Sequence, residues 1–347
     1  MKYSLIKKYC LYLVLFFLLS CSGTEDLIDN ALDSTEDLFG LAVDPPSRQP
    51  IDTSLVGVNN FFVDPEFGTL AQQHSDIKDN LGINFIRVLF AWTDPIQPTP
   101  DSIPNYSFYD DILNSAPAGA DILVVLVHTP AWMTNPANWD SGGPRATWIN
   151  RWLTPTVQRY ARDGRVIGFE VWNEPDLTVV PSDVVLELEN ADNYFELLVS
   201  GANSIRQNAP GKLILNAATI SIQQNFPNTL NYNARLRDLG AVDLVDIWNI
   251  HYYSEAFENV VLSNGVGPFL RSLGRPIWVT ESGEQGPNNQ LAYAETVWPF
   301  LKEEIPQIER FYYFQYGETG PVESNFGLRT TNPSAPVSDL YISLRDQ

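Results

Sequence analysis

Cysteine is nearly absent from this chain of 347 residues. Both cysteines, Cys10 and Cys21, lie close to the N-terminus, so the residues that follow can form no disulfide with one another. The only histidines are His74, His128 and His251, and no two have the i,i+4 spacing of metal ligands on a helix. The sequence therefore predicts neither a disulfide scaffold nor a metal site.

Basic residues are also scarce. Lys and Arg number 21 against 42 Asp and Glu, which gives a formal net charge of −21. A nucleic acid or a polyanionic substrate would be repelled by this charge, so we predict no nucleic-acid partner and favour a neutral ligand. Nine tryptophans and fifteen tyrosines suit contact with sugar rings, although aromatic side chains also fill protein cores.

The N-terminus has the pattern of an export signal. Lys2, Lys7 and Lys8 precede an apolar run that is too short to indicate a membrane span. The run ends in "LLSC", which resembles the lipobox of bacterial lipoproteins. The resemblance implies a signal peptide at 1–20 and lipidation of Cys21, hence an exported protein anchored to the outer membrane or the cell surface. An ordinary secretory signal cut nearby is the alternative.

An acidic segment separates this signal from the rest of the chain. Residues 21–50 carry the near repeat "TEDL" at Thr24 and Thr35. A weak helix is one reading of this segment, but its charge favours a solvated tether. We therefore divide the chain into signal, tether and one folded domain, 51–347, and we expect a monomer.

The folded domain alternates between strand-like and helical patterns. Eight apolar runs predict strands at 54–62, 83–92, 121–128, 165–174, 212–219, 245–253, 276–282 and 310–318. Helical periodicity is clearest at 190–209 and 288–305. This alternation predicts a (β/α)8 (TIM) barrel in one α/β domain. An open doubly wound sheet is the rival, but "LVGVNNFF" has a single glycine and so gives no sign of a dinucleotide cofactor.

Polar residues close most of these apolar runs. In chain order they are Asn59, Arg87, His128, Asn173 with Glu174, His251 with Tyr253, and Glu281, with an aromatic cluster from Phe314 to Tyr316 on the last strand. The C-terminal ends of barrel strands meet on one face, where such folds carry their active sites. Glu174 and Glu281 supply the two carboxyl groups that glycoside hydrolysis requires.

Three motifs carry a family resemblance. "WNEP" at 172–175, "HYY" at 251–253 and "WVTESG" at 278–283 resemble the clan A glycoside hydrolases, which are retaining (β/α)8 enzymes. "FEVWNEPDL" is most similar to family 39, whereas Arg87 and the His251-x-Tyr253 pattern are shared with family 5. "FGLRTTNPSAP" at 326–336 also resembles the end of many clan A barrels, so the resemblance runs from about residue 56 to the C-terminus.

The resemblance assigns roles to individual residues. It implies that Glu174 is the acid/base and Glu281 the nucleophile, and that Asn173 binds the sugar 2-hydroxyl. Arg87 and Tyr253 would flank Glu281 and favour its ionised form.

Several neighbouring roles stay open. His128 and His251 would position substrate or the catalytic pair, with a core role as the alternative for His128. Arg87 could instead neutralise Glu170, which we interpret as a buried structural acid. Burial should raise the pKa of Glu174 so that it can donate a proton near neutrality.

The last strand departs from the clan pattern. Clan A enzymes usually offer a tryptophan there as a sugar platform, but "FYYFQYGE" has none, so Phe314 or Tyr316 would take its place. Trp132, Trp139 and Trp148 could add platforms, with core packing or loop anchoring as the alternative for each.

Taken together, the sequence predicts a lipid-anchored retaining glycoside hydrolase that acts on a neutral β-linked oligo- or polysaccharide without a cofactor. A lipoprotein on the same barrel that binds glycan without cleaving it is the second interpretation, although both glutamates argue against it. A cation-dependent barrel enzyme would need three carboxylates at strand ends, which the sequence does not offer.

Overall fold

A computed structural model describes Val43 and residues 46–347. The predicted signal peptide, Cys21 and most of the predicted tether lie outside these residues. Within the described part, no helix combines the length and apolar character needed to cross a bilayer.

A ring of parallel strands forms the centre of the fold. The strands are β1 (Val56–Asn59), β2 (Phe85–Ala91), β3 (Asp121–Val127), β4 (Val166–Val171), β5 (Leu213–Asn216), β6 (Trp248–His251), β7 (Ile277–Ser282) and β8 (Ile308–Tyr313). They pair in the order β5-β4-β3-β2-β1-β8-β7-β6. All eight predicted strands are present, with ends shifted by a few residues, and the (β/α)8 prediction is confirmed.

Helices surround the strands on the outside. They are α1 (Leu70–Ser75), α2 (Ser107–Ser115), α3 (Gly143–Trp148), α4 (Thr154–Tyr160), α5 (Ala191–Asn208), α6 (Asn228–Leu239), α7 (Phe257–Val261), α8 (Val266–Ser272), α9 (Gln290–Glu304) and α10 (Asp339–Arg345). The helices predicted at 190–209 and 288–305 are confirmed as α5 and α9. Two-residue strands, β9 (Gly317–Glu318) and β10 (Arg329–Thr330), form a separate small sheet after β8.

Side chains complete the barrel where the strand pairing is weakest. A single bridge, Leu215 to Ile247, joins β5 to β6. Beside it, the Asn216 side chain accepts a hydrogen bond from the Asn249 backbone N–H (2.9 Å) and donates one to the Asn249 carbonyl (3.2 Å). This amide replaces the missing rungs of the ladder and keeps the barrel closed.

Apolar side chains fill the lower part of the barrel interior. They are Leu123, Leu215, Ile247, Trp278 and Tyr312. Gly57 leaves room for the Tyr312 ring, because a Cβ at this position would lie 2.6 Å from a ring carbon. With the floor packed, the polar side chains of the interior are confined to the C-terminal end of the strands.

Helix α5 also fixes the ends of two strands. Its buried face includes Tyr194, whose hydroxyl donates to the Val171 carbonyl (2.9 Å) at the end of β4. The same oxygen accepts the Ala217 backbone N–H (2.5 Å) just after β5. A single tyrosine therefore sets the spacing of β4 and β5 directly beneath the polar end of the barrel.

The first described residues run along helix α9. The Arg48 guanidinium forms a salt bridge with Glu295 (2.6 Å), and the Gln49 backbone N–H donates to the Glu295 carbonyl (2.8 Å). The last residues of the predicted tether thus contact the barrel.

Candidate active site

Glu174 stands on strained backbone beyond the end of β4. Trp172 and Glu174 both adopt positive φ, 81° and 44°, and His128 at the end of β3 has φ 66°. Such conformations disfavour residues other than glycine and are found mainly where a fold holds functional groups. The Glu174 backbone N–H donates to the Ala218 carbonyl (2.8 Å), which fixes the turn.

Glu281 lies at the end of β7, where the pairing with β8 shifts register between Val279 and Ser282. Its Oε1 accepts from Arg87 Nη1 at 2.6 Å, and its Oε2 accepts from the Tyr253 hydroxyl at 2.8 Å. Arg87 contacts this carboxyl group by charge and by a hydrogen bond, and Tyr253 by a hydrogen bond alone. The structure thus places Arg87 and Tyr253 beside Glu281, as the resemblance implies.

Arg87 spends all its donors on protein acceptors. Nε and Nη2 hold the two oxygens of Glu170 (2.8 and 3.0 Å), which fixes this buried acid below the site. Nη1 also reaches Asn59 (2.9 Å), and Nη2 reaches Asn173 Oδ1 (2.6 Å). With the bond to Glu281, these five bonds match the five N–H groups of a guanidinium. Arg87 therefore orders both Glu170 and the site, and it has no N–H to spare for a sugar.

His251 lies between the two glutamates. Its Nδ1 is 3.0 Å from Glu174 Oε1, and its Nε2 is 3.6 Å from Glu281 Oε1. One carboxylate oxygen from each glutamate and one ring nitrogen of His251 lie within 4.8 Å of one another. The structure therefore brings together two acids, Glu174 and Glu281, that are far apart in the sequence.

Burial sets the protonation states of Glu174 and His251. Burial raises the pKa of Glu174 to about 7, with Arg87 acting against the shift and Glu170 with it. Burial lowers the pKa of His251 to about 3, so the ring is neutral at ordinary pH. The site accordingly offers Glu174 as a carboxylic acid near neutrality, as predicted from the sequence.

The two glutamates and His251 also raise the question of a bound metal ion. Glu174, His251 and Glu281 present donor atoms close enough to share an ion, a convergence that the spacing of histidines in the sequence does not reveal. However, the cation of Arg87 already contacts Glu281, and His251 already meets Glu174. The carboxylates are thus satisfied by protein groups, and the set does not require a metal.

Asn173 and His128 line the same small cavity beside Glu174. Asn173 Oδ1 accepts from Arg87, which leaves its buried Nδ2 without a partner among the described residues. His128 Nδ1 is 2.7 Å from Asp183 Oδ2, and its buried Nε2 likewise has no partner there. Each side chain thus has one polar atom in a contact with a protein group and one polar atom without a partner among the described residues. His128 therefore belongs to the site region.

Aromatic rings form one wall near Tyr253. Phe314 lies at the end of β8, with ring centroids 6.2 Å from Tyr253, 5.9 Å from Phe61 and 5.9 Å from Phe326. Phe314 therefore lies beside Tyr253 at the end of the last strand, and its role as a sugar platform stays a prediction.

Tyr316 lies elsewhere, contrary to the expectation from the sequence. It is fully buried, its hydroxyl donates to Asp76 Oδ2 (2.7 Å), and its ring packs against Phe67. Asp76 directly follows α1, so the Tyr316 side chain lies in the helix layer.

The three tryptophans after β3 divide by exposure. Trp148 is fully buried and its indole N–H donates to the His128 carbonyl (3.0 Å), so it anchors the loop. Trp139 donates to the Met133 carbonyl (2.7 Å) within its own loop. Trp132 is partly buried like Trp139, donates its own indole N–H to the Gln97 carbonyl (2.9 Å) and packs edge-on against Trp92, so exposure does not select either of these two as a platform.

Asp183 is the site residue that sequence reasoning missed. It lies in the long loop between β4 and α5, shortly after Glu174. The sequence of this segment has neither strand nor helix periodicity. Nothing local in the sequence distinguishes it from the other acids of this loop, and only the fold brings it to His128.

Known proteins show the same fold. Residues 46–313 match the family Cellulase (glycosyl hydrolase family 5). A family 39 glycoside hydrolase of Bacteroides cellulosilyticus WH2 is similar in structure, with TM-score 0.64 and 17% identity over 86% of this chain and 63% of that one. A monomeric β-xylosidase of Caulobacter crescentus CB15 gives 0.59 and 19% over 87% and 69%. An exo-β-1,4-mannosidase of Opitutaceae bacterium strain TAV5 gives 0.56 and 14% over 88% and 61%.

The chain is shorter than some of these structures and spans less than two thirds of the first. No curated protein matches it. The family match covers more than half of the chain and agrees with the barrel and with two acids at its C-terminal end. The chain therefore belongs to the family Cellulase (glycosyl hydrolase family 5), within clan A.

Proposed function

We propose that the protein is a retaining glycoside hydrolase that cleaves a neutral β-linked glycan by double displacement, with Glu174 as acid/base and Glu281 as nucleophile. The observation that carries this proposal is the distance between the acids, whose nearest oxygens lie within 4.8 Å. Retaining enzymes hold their carboxyl groups about 5 to 5.5 Å apart, whereas inverting enzymes leave about 6.5 to 9.5 Å for a water. The gap here favours direct attack on the sugar.

The first step forms a covalent intermediate. A Glu281 oxygen attacks the anomeric carbon while the bond to the glycosidic oxygen breaks, and Glu174 gives its proton to that oxygen. The raised pKa of Glu174 supports this role, because the group still holds its proton near pH 7. Arg87 and Tyr253 each donate a hydrogen bond to one oxygen of Glu281 and so fix the direction of its carboxyl group.

The second step releases the sugar. Glu174, now ionised, takes a proton from a water that attacks the anomeric carbon, and the ester bond to Glu281 breaks. The two inversions restore the β configuration. The neutral His251 ring holds Glu174 through Nδ1, and its Nε2 faces Glu281 at 3.6 Å.

A neutral glycan fits the surface charge and the wall of the site. The net charge of −21 disfavours anionic sugars, and Phe314 with Tyr253 gives an apolar face without a cation. The β-xylosidase and the exo-β-1,4-mannosidase with similar folds act, by their names, on β-linked sugars. Asn173 would donate to the 2-hydroxyl of the bound sugar through its unoccupied Nδ2.

We also propose export, acylation at Cys21 and a monomer anchored to a bacterial membrane, on the strength of the "LLSC" pattern. A Cys21→Ser variant should then lose incorporation of labelled fatty acid and shift from the membrane fraction to the soluble fraction. Equal labelling of the variant and the parent would contradict acylation at this residue.

The roles of the two acids can be separated by mutation. Glu281→Ala should lose turnover of every β-glycoside, because no glycosyl ester can form. Glu174→Ala should lose about 10²- to 10⁴-fold on substrates with poor leaving groups, yet still react with activated aryl glycosides, which need no proton. Added azide should then accelerate the second step and give a β-glycosyl azide, because a small anion needs no general base.

An exposed acid provides the control. Glu196 lies on the outer face of α5, paired with Arg145, so Glu196→Ala should keep full activity. Proton NMR of the first-formed anomer should show β. An α product, or a Glu174→Ala variant that is inactive on activated substrates with and without azide, would contradict the assignment. A protein that binds glycans but cleaves none would support the non-catalytic interpretation instead.

A further inference from the structure

The acidic loop between β4 and α5 reaches back to the end of β3. Asp183 is buried and uses both carboxylate oxygens there, with Oδ2 2.7 Å from His128 Nδ1 and Oδ1 accepting from the Thr129 hydroxyl at 2.9 Å. The neighbouring Ser182 hydroxyl donates to the Thr129 carbonyl at 2.6 Å. Two adjacent residues thus attach this loop to β3, but only Asp183 contacts the histidine.

This contact decides which ring nitrogen carries the proton. An ionised carboxylate can only accept hydrogen bonds, so a neutral His128 meets Asp183 with Nδ1–H. Its Nε2 then has a lone pair and no proton. Because Nε2 is buried, lacks a partner among the described residues, and belongs to a side chain that lines a cavity with Asn173 and Glu174, it is an acceptor presented to the site.

We infer that Asp183 is a positioning residue that holds His128 as the Nδ1–H tautomer, so that Nε2 accepts a hydrogen bond from a hydroxyl of the bound sugar. This inference rests on the proposed function for its substrate, although the tautomer itself does not. Arg87 has the opposite effect on Asn173. It donates to the acceptor atom Oδ1 and leaves the donor atom Nδ2 for a ligand. The site then presents one donor and one acceptor, both in fixed orientation, to the hydroxyl groups of one sugar ring.

The tautomer can be measured directly, since the chain has only three histidines. Full-length protein labelled with ¹⁵N-histidine should show three ring systems in long-range ¹H–¹⁵N spectra, and the signals lost in His128→Gln identify His128. We expect the neutral ring to carry its proton on Nδ1 and none on Nε2. In Asp183→Asn this preference should be lost, whereas in Ser182→Ala, which removes only the neighbouring loop contact, it should persist.

Activity gives the second readout. On aryl β-glycosides, Asp183→Asn should lower kcat/KM about 10- to 100-fold, equivalent to one buried hydrogen bond to substrate. It should also lose discrimination against the one monodeoxy substrate whose missing hydroxyl faces His128. Ser182→Ala should keep that discrimination even if it loosens the loop.

Each outcome bears on a separate claim. A neutral wild-type His128 ring with its proton on Nε2, or an Asp183→Asn variant that keeps both tautomer and discrimination, would overturn the inference. If the wild type hydrolyses no glycoside but shows the Nδ1–H tautomer that depends on Asp183, the positioning stands and the proposed function fails.

Discussion

Arg87 shows what a single side chain contributes to this site. Its five hydrogen bonds reach residues of β1, β4 and β7 and Asn173 beyond β4, so the positions of both Glu281 and Asn173 depend on it. Lysine has the same charge but three donors on one atom, and it could not span these partners. The two readings left open by the sequence, a partner of Glu170 or a site residue, are thus compatible, because Arg87 contacts both Glu170 and Glu281.

Some residues of the site can be predicted from the sequence, and others cannot. Glu174 and Glu281 stood out because "WNEP" and "TES" place an acid at the end of an apolar run, a local pattern. The positions of Asp183 and Tyr316 depend on contacts between distant segments, His128 with Asp183 and Tyr316 with Asp76. Such contacts leave no periodicity in the sequence.

The raised pKa of Glu174 predicts a pH profile. A carboxyl whose pKa lies near 7 is protonated below that pH, so kcat/KM for a substrate with a poor leaving group should fall as pH rises above about 7. Activated aryl glycosides do not need the proton in the first step, and their kcat/KM should not show this alkaline fall. Rates measured from about pH 5 to 9 on both substrates test this. The same pH dependence for both substrates across this range would contradict it.

At the scale of elements, the strands were predictable and the closure of the barrel was not. Buried parallel strands are apolar runs of limited length, and each of the eight runs in this chain became a strand. The junction of β5 and β6 has little backbone pairing and relies on Asn216, a residue that lies inside the run predicted as a strand and has no distinguishing pattern there. A side chain that substitutes for backbone pairing has no sequence signature.

Removal of this side chain should open the junction. Asn216→Ala deletes two hydrogen bonds to Asn249 and leaves buried backbone groups unpaired, so we expect the free energy of unfolding to fall by about 2 to 4 kcal/mol. Asn228→Ala, at the exposed start of α6, is the matched control and should change stability by less than about 0.5 kcal/mol. Urea unfolding of both variants measures the difference. Equal stability of the two variants would show that the barrel closes without this amide.

For the whole molecule, the net charge makes a prediction about substrate. At −21, the surface repels an anionic glycan, and this repulsion is screened as salt is added. With a neutral β-glycan, kcat/KM should be insensitive to ionic strength between about 0.02 and 0.3 M. With a uronic-acid glycan it should be low and should rise with salt. A neutral substrate with strong salt dependence would indicate that charge governs binding in a way the proposed site does not explain.

The left-handed backbone at His128, Trp172 and Glu174 has a consequence for laboratory evolution. Glycine or asparagine relieves the strain of a positive φ, so a population selected only for survival of heating would tend to accept such replacements. At Glu174, the proposed acid/base, such a gain in heat resistance should come with a loss of turnover. Glu187 has the same conformation (φ 54°) on an exposed part of the loop, and it is a safer place to begin.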